Sequence, residues 1–364
     1  MPAHQLWLDR ETFCELDLTE VGTYRYAEEA EDILVSYALD DGPEMVWDVS
    51  GEEMHDELFY AMEEAEEVIA HNAQFDKAIH NGPKQLRLPR IPLERWRCTM
   101  AQALSHALPG GLENLGIVLG LPDDQGKLKD GRKLINLFTK PQPLNRKIQR
   151  PNATTHPADW QRFKDYAARD IGAMRECSRR MPKWNWDESA IAEWHCDQRI
   201  NERGFYVDRE LTQAGILASQ TEKARIATRV AEITGGAVRV SQRDKFKELL
   251  YDKYGLDLPD TKAETFIELI KFNGDSMDPE AVELLQLSMA SNKTSTAKYA
   301  TLDPAIQSDG RFRGGSQFAG ASRTRRWAGR IFQYQNLPAR GLPPSWMVEL
   351  YIDLLKINCH DLYF

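Results

Sequence analysis

No apolar run in the chain approaches the roughly 18 residues that suggest a membrane span. The amino terminus enters a strand-like run within a few residues, without the basic and apolar regions of an export signal. Both absences predict a soluble protein of the cell interior. The 364 residues hold five cysteines, Cys14, Cys98, Cys177, Cys196 and Cys359, with neither a CxxC nor a Cys/His ligand spacing. That pattern argues against a disulfide framework and a zinc site, and predicts ordinary reduced thiols. Basic charge is nearly missing from residues 1–70, where 21 acids face only Arg10 and Arg25. The remainder carries 44 Lys and Arg against 35 acids, so the overall charge of -10 conceals a basic excess beyond residue 70. A polyanion could be held there. Much of the acid falls in 28–32 and 52–67, which read as two solvated helical runs facing away from substrate.

Three short motifs carry acids of a different kind: LDRET with Asp9 and Glu11, HNAQFD with Asn72 and Asp76, and YAARD with Tyr166 and Asp170. Asp9 and Glu11 follow Leu6-Trp7-Leu8, and a period of two places both acids on one face of a strand. Val68-Ile69-Ala70 reads as a short buried strand, with His71-Asn72 at its carboxyl end and Asp76 on the following helix. Open α/β sheets place ligands at that end. Tyr166 and Asp170, four apart, share a face of a helix. Four carboxylates converging on one point repel one another unless hard divalent cations neutralise them, so the set reads as a two-metal site for phosphodiester hydrolysis.

The order and spacing of these motifs resemble those of DEDD-type 3'-5' exonucleases, in the subclass with a Tyr four residues before the last Asp. The resemblance implies two Mg2+ or Mn2+ ions roughly 3.5–4 Å apart, bridged by Asp9. Glu11 and Asp170 would complete the first site and Asp76 the second. Tyr166 would orient the attacking water, because a phenol with a pKa near its usual value of about 10 is a poor base but a good hydrogen-bond partner. Asn72 reads either as a strand-end cap or as a contact to the terminal nucleotide. Lys127 to Arg150 has a single acid, Asp130. It reads either as a path for single-stranded DNA or as a solvated loop.

The expected fold class is α/β. An RNase H-like mixed-sheet exonuclease domain over 1–185 is followed by a mainly α-helical, thumb-like region over 186–364, with the junction at 182–186. Strands are expected at 33–39 and 44–48 about an Asp41-Gly42 turn, and at 95–99. Helices are expected at 52–66, 112–119, 160–181, 188–202, 209–234 and 346–356.

Further along, NERGFYVD at 201–208 resembles the segment after the exonuclease in family A DNA polymerases, and SNKTSTAKY at 291–299 resembles their thumb tip, implying phosphate contacts for Lys293 and Thr294. ASRTRRWAGRIFQYQNLP at 321–338 is similar to their TGRLSSxxPNLQNIP stretch. Thr324, Arg326, Gln335, Asn336 and Pro338 fall in register, whereas Arg325 stands in place of a glycine. Between Gly310 and Val348 there are seven arginines and no acid, interleaved with aromatics. This composition suits a nucleic-acid groove with Arg323, Arg326 and Arg330 on DNA, or a buried aromatic cluster beneath a solvated Arg face.

The palm motifs DYSxxExR and HDE and the fingers motif KxxxxxxYG do not occur. The resemblance is therefore to the N-terminal half of a phage-type family A DNA polymerase. It implies a proofreading-type 3'-5' DNA exonuclease of the bacterial cytoplasm, acting on a single-stranded 3' end and on primer-template, with no DNA synthesis of its own. Alternatives are a primer-template-binding subunit of a split polymerase that pairs with a palm-and-fingers chain, and a remnant of an interrupted gene.

Overall fold

A computed structural model describes residues 3–85, 87–122, 131–292, 297–321, 324–337, 341 and 343–358. They form two compact units, the described residues of 1–207 with 304–337, and those of 208–303 with the residues after 337.

The first unit is built on β1 (Gln5–Phe13), α1 (Leu18–Ala27), β2 (Glu31–Leu39), β3 (Met45–Asp48), α2 (Asp56–Glu64), β4 (Glu67–Ala70), α3 (Ala73–His80) and β5 (Trp96–Cys98). The sheet order is β3-β2-β1-β4-β5. β2 runs antiparallel to β1 and β3, while β4 is parallel to β1 and β5 parallel to β4. Alternation along β1 explains its two faces. Leu6 and Leu8 pack with Leu58, Ala61 and Met62 of α2, whereas Trp7 packs on the other face with Ile171 and Met174. Short helices α4 (Thr99–Ser105), α5 (Leu112–Val118) and α6 (Gly131–Phe138) lead to the long α7 (Pro157–Arg180), then α8 (Glu188–Arg203). Proline in its first turn starts α7, and Arg179 and Arg180 sit at its negative end.

The turn between β2 and β3 sits at 40–42 as expected, although the left-handed residue is Asp40 (φ 49°) rather than Gly42. The acid at 28–32 is not a solvated helical run. Glu31 and Asp32 open β2, and Asp32 is buried in an ion pair with Arg10. Arg10 lies on the apolar face of β1 and cannot be buried without a counter-ion, which overrides the charge-run reading.

Residues 182–186 lie inside the first unit, where Trp186 and Trp194 join the sheet core. Four short strands lie within the region expected to be helical: β6 (Phe205–Tyr206), β7 (Arg311–Phe312), β8 (Ser316–Ala321) and β9 (Arg326–Gly329). Gly204, at φ 55°, lets β6 approach β7, since a Cβ there would fall 2.1 Å from the Phe312 carbonyl oxygen. A buried network holds the β8–β9 hairpin. Trp327 Nε1 donates to Asp197 Oδ1 at 2.7 Å, Ser316 Oγ donates to Asp197 Oδ1 at 3.0 Å, and Asn201 Oδ1 accepts from the Ser316 amide at 3.0 Å.

The second unit is helical: α9 (Arg209–Thr234), α10 (Arg243–Tyr254), α11 (Ala263–Asn273), α12 (Pro279–Ser291), α13 (Ala297–Leu302) and α14 (Ser345–Lys356). Asp208 caps α9 through the Leu211 amide and Gly235 closes it in the left-handed region. Ile226, Val230, Phe246, Leu250, Phe266, Leu284 and Leu285 form its core. No described helix is long and apolar enough to cross a membrane.

Candidate functional site

β1 presents Asp9 and Glu11 on the face covered by α7, and α7 brings Tyr166 and Asp170 to the same place. An oxygen of Asp9, one of Glu11 and one of Asp170 all lie within 4.8 Å of one another. Three ionised carboxylates so placed repel by roughly 3 kcal/mol per pair at an effective dielectric constant of about 20. Asp9 pairs with Ser36 and Glu11 with Leu34 of β2, and the register shifts directly after Glu11. The bulge ends the regular ladder beside the acids, a frequent position for one near a functional site.

Asp76 enters from α3. It is 1% exposed, and its Oδ1 has no hydrogen-bond partner. Burial pushes its carboxyl well above the ordinary range, and the neighbouring Asp9 charge adds to the rise. A buried carboxylate oxygen with no protein donor, beside a second carboxylate, is of the kind that a bound cation satisfies. All four donors are hard oxygens, which suits Mg2+ or Mn2+ and not a soft metal.

Tyr166 is 1% exposed and stacks on Phe163 at an interplanar angle of 7°. Burial first, then the charges of Asp170 and Glu11, push its phenol far above its ordinary pKa, and it hydrogen-bonds Asp170. It is neutral at any working pH, hence a hydrogen-bonding group rather than a base.

Behind the acids lies a charge network that sequence reasoning missed. Arg10 bonds Asp32 and, through Nη2, the Nδ1 of His80 at 2.7 Å, while His80 Nε2 lies 2.8 Å from the Pro89 carbonyl oxygen. Arginine can only donate, so Nδ1 accepts and Nε2 carries the proton given to Pro89. Burial, then the Arg10 charge, lower the His80 pKa to about 3. The available signal was Arg10 itself, a charged residue on the apolar side of the alternation.

Asn72 is left-handed (φ 68°) at the start of α3 and its side chain makes no capping hydrogen bond. With Gln74, Met100 and Gln317 it lines a small cleft. Thr324, Arg326, Arg330, Gln335 and Asn336 are exposed on the surface of the first unit. Lys293, Thr294 and Arg323 lie outside the described residues, as does the start of the basic stretch at 127–130. Much of the arginine charge is used internally. Arg313 bonds Asp309, Gln307 and the Glu202 carbonyl, and Arg325 pairs with Glu193. Phe312, Phe318 and Phe332 are buried, whereas Trp327 is 48% exposed. Arg150, at the end of the basic stretch, pairs with Glu31 and lies over the Phe13 ring.

No protein-family model matches the chain. It is related to a DNA polymerase of Bacillus phage SP02, with 34% identity over 340 residues that make up 92% of this chain and 51% of that protein. It also resembles the POL domain of Pol1 from M. smegmatis in complex with DNA primer-template and dNTP, at a TM-score of 0.55 and 14% identity, over 93% of this chain and 53% of that one. The second likeness shows the fold alone. The chain spans about half the length of each.

Proposed function

We propose that the chain is a divalent-metal-dependent 3'-5' DNA exonuclease of the proofreading type, on an RNase H-like first unit, and that it corresponds to the N-terminal half of a family A polymerase. The observation that carries this reading is the convergence of Asp9, Glu11 and Asp170 within 4.8 Å, with the unpartnered Asp76 oxygen beside Asp9. The sheet order, with β2 antiparallel between its neighbours, and relation to a phage DNA polymerase support it.

Asp9, Glu11 and Asp170 would hold one ion, and Asp9 with Asp76 a second. When bound, two such ions would supply positive charge to the carboxylates and the Lewis acidity that phosphodiester hydrolysis needs. The protein's own part is geometric. Tyr166, neutral and fixed against Phe163, offers a hydroxyl oxygen to orient a water, and Asp170 fixes that hydroxyl. Asn72, whose side chain makes no capping hydrogen bond, would contact the terminal nucleotide.

Single-stranded DNA labelled at its 5' end, incubated with the chain and Mg2+, is expected to give a ladder of shortening products. Immediate release of labelled mononucleotide would reverse the assigned polarity, and undiminished hydrolysis by Asp9→Ala would remove the site assignment.

A second reading, primer-template binding, is favoured by the exposed Arg326 and Arg330 beside the half-exposed Trp327. It is compatible with the first.

A further inference from the structure

We infer that Gly131, which the motif comparison does not single out, is a positioning residue for Tyr166. The inference rests on the exonuclease reading for its functional consequence, and on packing alone for its structural one. α6 docks on α7 through Gly131, Leu134 and Phe138, three buried residues on one helical face. Leu134 and Phe138 pack in the cluster that holds Phe163 and Tyr166. At Gly131 the backbone itself meets the tyrosine. A Cβ there would stand 2.4 Å from Tyr166 Cε2, 2.8 Å from Cδ2 and 3.2 Å from Cζ.

No side chain larger than hydrogen fits at that distance without moving the ring or the helix. The ring cannot yield freely, because it is buried, stacked on Phe163 and tied through its hydroxyl to Asp170. Gly131 adopts no positive φ, so glycine is not required by its backbone. Alanine would be the better helix former. Close approach to the phenol is what the position demands. Gly131 thus sets where the Tyr166 hydroxyl stands, by letting α6 close on the ring.

Five variants test this with two readouts. Gly131→Ala is expected to lower kcat on a single-stranded oligonucleotide in Mg2+ about tenfold, with KM within about twofold. In a Tyr166→Phe background the same change is expected to cost less than about twofold, because the hydroxyl it displaces is already gone. Wild-type kcat for Gly131→Ala, or an equal loss in both backgrounds, would overturn the inference. Melting decides the packing independently of activity. Gly131→Ala should lower Tm in the wild-type background and leave it unchanged or raised in Tyr166→Ala, where the ring is absent. Equal destabilisation in both backgrounds would refute the contact. If Asp9→Ala proves active, the exonuclease reading fails while the melting comparison still decides the role of Gly131.

Discussion

The acidic cluster of β1 and α7 and the arginine-rich segment at 311–330 belong to the same unit and treat charge in opposite ways. In the first, like charges from three elements are brought together, and the protein supplies Asp76 Oδ1 with no donor. In the second, Arg313 and Arg325 have acidic partners, and the phenylalanines between the arginines are buried. Convergence of like charge costs folding free energy and suits a bound cation. Compensated charge signals architecture. Within the arginine-rich segment only the exposed remainder, Arg326 and Arg330 among the described residues, is left for a polyanion.

The comparison breaks first at Asp9. Asp9→Ala is expected to reduce hydrolysis of single-stranded DNA in Mg2+ below a tenth of wild type with unchanged circular dichroism. It also carries a stability signature. Mg2+ at about 100 times its Kd should stabilise the wild-type chain by about 2.7 kcal/mol, and this increment should shrink sharply in Asp9→Ala. Because removal of one carboxylate relieves repulsion, the variant in EDTA should melt no lower than wild type. A lower Tm in EDTA would mean that Asp9 is a structural residue.

Acid should expose the network behind the cluster. With a folded-state pKa lowered to about 3, His80 binds its proton more readily in the unfolded chain, where its pKa is near 6.5. Its contribution to stability is therefore present at neutral pH and lost as the pH falls below about 6.5 toward 3. Between pH 7 and pH 5 the loss is about 2 kcal/mol. Urea midpoints of wild type and His80→Gln should converge over that range. Parallel pH dependences would mean that His80 does not titrate as described.

Tyr166→Phe should be milder than Asp9→Ala, about a tenfold loss in kcat, since the carboxylates remain while the water loses its orienting hydroxyl. Loss as complete as that of Asp9→Ala would assign the phenol a larger role.

Legibility in the sequence followed the range of the interactions. β1, β2, α7, α8 and α9 lie within a few residues of where they were expected because local interactions set them: alternation marks the strands, and in the structure Asp187 and Asp208 cap α8 and α9 while Gly204 and Gly235 end them. The carboxylates were legible because their spacings put them on shared faces. What escaped depends on distant partners. Asp32 looked like part of an acidic run because Arg10, which buries it, is 22 residues away. The return of 304–337 to the first unit relies on Asp197 and Asn201 meeting Ser316, 119 and 115 residues on. Gly131 looked like a loop residue because its partner is a ring on another helix.

The smallest effect divides the arginines themselves. Arg326 and Arg330 are exposed and Arg313 is tied to Asp309 and to the Glu202 carbonyl, so the two sets should respond differently to the same alanine replacement. If Arg326 and Arg330 each neutralise one phosphate, replacing both should lower the slope of log K against log salt for duplex DNA by about 1.8 and leave the melting temperature nearly unchanged. Arg313→Ala should leave the slope in place and destabilise the fold, because the Glu202 carbonyl and Gln307 lose a charged donor in a half-buried setting. A salt slope that falls equally in both variants would mean that internal pairing does not withdraw arginine from DNA. A slope unmoved by Arg326→Ala with Arg330→Ala would leave binding to other residues of the chain.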